Sequence, residues 1–230
     1  MKIKNKLTIF KLVIAVIVLL IMVPGGTADA QAIYKDVPGK IDTKARYLFY
    51  LHGRIIEIKG IRPTSERYGV YEYEKILETF KDKGFIVISE ARGRNTSAIR
   101  YARKMVSQVN SLLQAGVPPA SITVVGASKG ALIAMLLSSM LQNKDMNFVF
   151  ISGCTHQILQ KYDVDFWGNV LTIYDEKDES VGTCQKFFEV STGLNRYKEI
   201  KLTVGTGHGI LYRPIKEWVD PVVKWAKGQR

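Results

Sequence analysis

Five residues, Gly126-Ala127-Ser128-Lys129-Gly130, stand between the apolar run Ile122 to Val125 and the helical run Ala131 to Leu141. They spell G-x-S-x-G at a strand-to-helix junction, and few local patterns constrain a fold as tightly. A serine presented on so tight a turn is held in a strained backbone conformation, and small residues two before and two after it let strand and helix pass closely. The sequence therefore calls for a buried strand that ends at a nucleophile elbow and a helix that starts at once. Ser128 is the candidate nucleophile. The N–H of Lys129, at the helix start, points at any oxyanion that forms beside it.

The rest of the chain repeats the theme of that junction. Short apolar runs read as strands at Arg46 to Leu51, Phe85 to Ser89, Ile122 to Val125, Phe148 to Ser152, Val170 to Tyr174 and Glu199 to Val204. Amphipathic runs at Tyr71 to Lys83, Ala98 to Ala115, Ala131 to Leu141, around Val181 to Val190, and Ile215 to Lys227 read as helices. Apolar strands alternating with helices predict an α/β three-layer sandwich, a mostly parallel sheet of about six strands covered on both faces. In such a sheet ligands gather beyond the carboxyl ends of the strands. Those ends carry His52-Gly53-Arg54, Glu90 to Arg94, Ser128, Gly153-Cys154, Asp175 to Asp178 and Gly207-His208-Gly209.

Residues 1–30 read differently. Lys2, Lys4, Lys6 and Lys11 precede twelve uninterrupted apolar residues, Leu12 to Val23, and Ala28-Asp29-Ala30 supplies small residues for cleavage. A spanning helix needs about 20 apolar residues, so the run fits a signal-peptide core better than an N-terminal anchor. The expectation is an exported chain whose domain occupies residues 31–230. The whole chain carries 33 basic against 21 acidic residues, net +12; four lysines and Asp29 place +3 of that in the first thirty residues, leaving +9. Such a surface favours anionic partners, including peripheral contact with a cell envelope. No nucleic-acid motif accompanies it, so nucleic acid is not expected as a partner. Cys154 and Cys184 are the two cysteines. In an exported chain they either pair or remain free thiols.

A serine hydroxyl needs a base, usually a histidine held by a carboxylate. His208 follows the last strand, between two glycines that let its ring turn back across the sheet edge. His52-Gly53, after the first strand, marks where the second oxyanion donor belongs, the N–H of Arg54 or of Gly53. The acid lies in Asp175-Glu176-Lys177-Asp178-Glu179. Ser128, an acid after the penultimate strand and His208 after the last reproduce the chain order Ser, Asp, His, and the chain thereby resembles the α/β-hydrolases. The resemblance covers roughly Tyr47 to Trp225. It implies an acyl-enzyme on Ser128 and a small-molecule ester, thioester or amide substrate; two departures, the first two strands of the family's sheet missing or vestigial in Gln31 to Ala45 and a Gly153 to Asn169 segment too short for a large lid, make the expected fold a minimal version. It calls for no cofactor and no metal. In that family the acid often closes a turn of the form G-x-x-D; Asp178 matches the spacing, with Asp175 in the glycine's place as the second choice.

The connection from Arg54 to Tyr73, with Arg92, Arg94 and Lys129, puts many cations at the expected mouth. His52, Arg62 and Arg92 are the candidate substrate contacts there, and they favour an anionic substrate. Two rival motifs fail. A dinucleotide turn would need glycine where Leu132 stands, and a P-loop would need lysine where Ala131 stands.

Overall fold

The computed structural model describes residues 32–229; the expected signal segment, residues 1–30, lies outside the described residues. In chain order the strands are β1 (Ile33–Tyr34), β2 (Tyr47–Leu51), β3 (Thr64–Ser65), β4 (Gly69–Val70), β5 (Ile86–Ile88), β6 (Ile122–Ala127), β7 (Asn147–Ile151), β8 (Trp167–Asp175) and β9 (Gly193–Leu202). The α-helices are α1 (Arg54–Lys59), α2 (Tyr73–Asp82), α3 (Ala98–Gln114), α4 (Lys129–Leu141), α5 (His156–Lys161), α6 (Gln185–Val190) and α7 (Lys216–Ala226).

Seven strands form one sheet in the order β1-β5-β2-β6-β7-β8-β9, and every pairing in it is parallel. To the expected six or so strands the sheet adds β1, whose two residues are too short to show a periodicity. It pairs Ile33 with Val87. The small antiparallel hairpin β3-β4 lies apart from this sheet.

Strand alternation decides the layers. Tyr47, Phe49 and Leu51 face a core shared with α3, α4 and α6, whereas Leu48 and Tyr50 face one shared with α1, α2 and α7. With both faces covered, β2, β6 and β7 are buried along their whole length. Helix α4 is apolar nearly all round because it packs on β6, β7 and α3 at once. Edge strand β9 is longer than its sequence announces. Its exposed Asn195 and Lys198, with half-buried Arg196 between them, hide the first half from any apolar pattern, and charge on an exposed edge discourages pairing with another chain.

Candidate active site

Ser128 stands between β6 and α4 with φ +53° and ψ −116°, a conformation rare for a residue with a side chain. Close packing imposes it. A Cβ on Gly130 would overlap the Leu51 carbonyl, and one on Gly126 would overlap the backbone of Gly130. The turn is held by the Ser128 N–H donating to the Ile151 carbonyl at 2.9 Å and by its carbonyl accepting from the Ala131 N–H at 2.8 Å. Strain of this kind costs about 1–3 kcal/mol and persists only where the surroundings enforce it.

His208 enters from a 3₁₀ turn, Gly207–Tyr212, beyond β9. Its Nε2 lies 3.0 Å from the Ser128 Oγ and its Nδ1 lies 2.7 Å from Oδ2 of Asp178. The other carboxylate oxygen of Asp178 accepts from the Ser180 hydroxyl at 2.5 Å and the Ser180 N–H at 3.2 Å. Burial pushes the Asp178 carboxyl up, but the hydrogen bonds from His208 and Ser180 outweigh it, and the group titrates below the usual carboxylate value. An ionised Asp178 keeps the proton of the neutral imidazole on Nδ1. That leaves Nε2 free to accept from the serine hydroxyl.

Asp175 is placed elsewhere. Fully buried, it accepts the N–H groups of Lys177 at 3.0 Å, Gly205 at 3.0 Å and Gly207 at 2.9 Å. It thus ties the end of β8 to the loop that delivers His208.

Gly53 stands against Ser128: an added Cβ there would lie 3.7 Å from the serine Cβ. Arg54 is the first residue of α1, a helix that lacks a side-chain N-cap.

Two of the three residues expected to touch substrate are withdrawn from solvent. His52 is fully buried; its Nδ1 lies 2.8 Å from the Gly53 carbonyl and its Nε2 accepts the Arg92 N–H at 2.8 Å. Burial first, and the Arg92 charge second, lower its pKa to about 3, so it stays neutral. The Arg92 side chain is likewise buried. It donates to Glu57 at 2.9 Å through Nε and to the His52 carbonyl through Nη2. A bare guanidinium is expensive to bury, so its carboxylate partner goes inward with it. Both residues brace the His52-Gly53 turn instead of lining the mouth. Arg62 is exposed on the connection between α1 and β3.

Glu57 lies on the same Arg54 to Tyr73 connection. The structure buries it between Arg92 and Lys129, whose Nζ bonds to the Glu57 carboxylate and to the Thr96 carbonyl, the latter at 2.7 Å. Ser180 was also missed; its position two residues after the acid was the available signal. Cys154 and Cys184 form a disulfide, and the Gly182 N–H donates to the Cys154 carbonyl at 3.0 Å. These contacts tether the far end of the Asp178 loop to the chain beyond β7. Among the described residues no group of three or more His, Cys, Asp or Glu is arranged to hold a metal ion.

Together, the parallel sheet, the strained serine after β6 and the histidine beyond the last strand define the class: the chain has the α/β-hydrolase fold. Solved structures of that fold superpose on most of its length. The esterase Pf2001 of Pyrococcus furiosus matches with TM-score 0.54 at 17% identity, covering 82% of this chain and 85% of its own. Est1E of Butyrivibrio proteoclasticus, solved with ferulic acid, matches at 0.52 and 15% identity over 82% and 90%. A single-residue variant of Arabidopsis thaliana SOBER1 matches at 0.52 and 12% identity over 79% and 98%. No protein-family profile and no curated protein sequence matches the chain.

Proposed function

We propose that this chain is a serine hydrolase that cleaves a carboxylic ester, thioester or amide through an acyl-enzyme on Ser128. The observation that carries the reading is the unbroken line Ser128 Oγ, His208 Nε2, His208 Nδ1, Asp178 Oδ2, with gaps of 3.0 Å and 2.7 Å outside the ring. In this reading the Ser128 oxygen attacks the substrate carbonyl carbon while its proton passes to His208 Nε2. The imidazolium that results is stabilised by Asp178. The carbonyl oxygen takes up the electron pair and is met by the N–H group of Lys129 and by that of Arg54 or Gly53. Collapse of the adduct expels the alcohol, thiol or amine, which takes its proton from Nε2. Water, deprotonated by the same nitrogen, then releases the acid and restores the hydroxyl.

Several features support the reading beyond the hydrogen bonds. Ser128 holds an unfavourable backbone conformation, which fits a residue presented for chemistry. The esterases among the structural neighbours make hydrolysis the natural assignment for the fold, although folds host many activities. The disulfide fits a chain that matures in an oxidising compartment, in keeping with export after loss of residues 1–30. No helix among the described residues is long and apolar enough to cross a membrane.

A panel of short activated esters, thioesters and amides, offered to wild type and to Ser128→Ala, tests the proposal. Turnover by wild type that the variant lacks is the expected result. Equal rates for both proteins would remove Ser128 from the chemistry, and no turnover of any compound would favour a binding protein built on this fold.

A further inference from the structure

A cleft of about 650 Å³ is lined by Lys129, the residue that follows Ser128, and by Arg54, the residue that follows Gly53. Arg54 and Lys129, chain neighbours of the oxyanion turn and of the serine, form one wall, and Arg94 stands on the segment before α3. That segment is fixed to the serine turn, because Lys129 Nζ donates to the Thr96 carbonyl. Leu132, Ile99 and Tyr162 give the cleft an apolar strip. Glu57 is its acidic lining residue, and that carboxylate already serves both Arg92 and Lys129. Arg54 and Arg94 are exposed, and among the described residues neither forms an ion pair. Two unpaired guanidinium groups therefore share a cleft with an apolar strip, and the residue that follows the serine lines it.

We propose that this cleft seats a carboxylate borne by the substrate, held by Arg54 and Arg94, with its hydrocarbon spacer on the Leu132 side. The assignment rests on the hydrolase reading and names its substrate class: esters that carry a second, ionised carboxyl group. Guanidinium forks match a carboxylate's two oxygens, and the uncompensated positive charge selects against neutral compounds. Arg92 and His52 are spent on the turn, and the work falls to Arg54 and Arg94.

The test compares kcat/KM for two matched pairs of esters at low and high ionic strength. One pair differs by a terminal carboxylate on the acyl group (4-nitrophenyl butyrate against 4-nitrophenyl hydrogen glutarate), the other by a carboxylate on the leaving group. A charged hydrogen bond is commonly strong enough for about a tenfold effect or more, so one pair should favour the anion by at least about tenfold. That preference should persist at high salt, where mere steering fades. Arg94→Gln should reduce it about tenfold, and Lys44→Gln, an exposed charge before the amino end of β2, should not. Calorimetric titration of Ser128→Ala with glutarate gives a readout independent of turnover. Binding that Arg94→Gln weakens supports the seat. Equal kcat/KM within both pairs, or a preference lost at high salt, overturns the seat while neutral-ester turnover leaves the hydrolase reading standing. If no ester is turned over the hydrolase reading falls, and glutarate binding then decides the seat by itself.

Discussion

Oδ2 of Asp178 lies 2.7 Å from Nδ1 of His208, while Asp175, three residues earlier, spends its carboxylate on three backbone N–H groups. One acid faces the imidazole and the other builds the loop that carries it. Their substitutions should separate accordingly. Asp178→Asn should lower kcat about 10⁴-fold with the fold intact, through loss of the productive tautomer. Asp175→Asn should appear first in stability, by about 1–3 kcal/mol in urea unfolding, because a buried acceptor for several amides is altered. The reverse pattern would exchange the two roles.

The Cys154–Cys184 bond closes a loop with a sequence separation of 30 that contains Asp178 and Ser180. Its removal by the double serine variant should cost about 3–4 kcal/mol on the chain-entropy account. Thiol titration of denatured, unreduced protein should find no free cysteine. Two free thiols per chain would contradict the bridge.

Glu57 is nearly inaccessible, with side-chain exposure of 2%, against 0% for its partner Arg92. Glu57→Gln should destabilise by about 3–5 kcal/mol, because it strands a buried guanidinium without its counter-charge. A loss under about 1 kcal/mol would mean that the pair is not buried in solution.

His52, held neutral with a pKa of about 3, links stability to pH. Below its ordinary value of about 6.5 the unfolded chain binds a proton that the folded one refuses, so stability is lost as pH falls from there toward 3. The contribution of this residue is about 1.4 kcal/mol per pH unit within the window and nothing above it. Urea unfolding between pH 4 and 7 should show that slope reduced by one proton in His52→Gln. An unchanged slope would show that His52 is not the linked group.

The elbow was legible in the sequence because close approach leaves no choice: where Leu51 and the backbone of Gly130 abut, only glycine fits. The order of Ser128, Asp178 and His208 was legible too, since strand ends in a parallel sheet collect on one edge. Asp178 was preferred to Asp175 only on the spacing of a family turn, because both lie within reach of the same loop and only the fold shows which carboxylate the amides of Gly205 and Gly207 claim. The burial of Glu57 was hidden for a similar reason. The two cations that draw it inward come from 35 and 72 residues away, a distance no local pattern reports. Short elements such as α1 and β1 carry too few residues for a periodicity to emerge.

The central claim, an activated serine at position 128, is tested most directly by a fluorophosphonate, which reacts covalently with serines made nucleophilic by a neighbouring base. Incubation of purified protein with the probe, followed by peptide mapping, should give one phosphonyl group per chain on the peptide containing Ser128, and none in Ser128→Ala or His208→Ala. Absence of labelling in the folded wild type, or labelling that persists at another residue in Ser128→Ala, would contradict it.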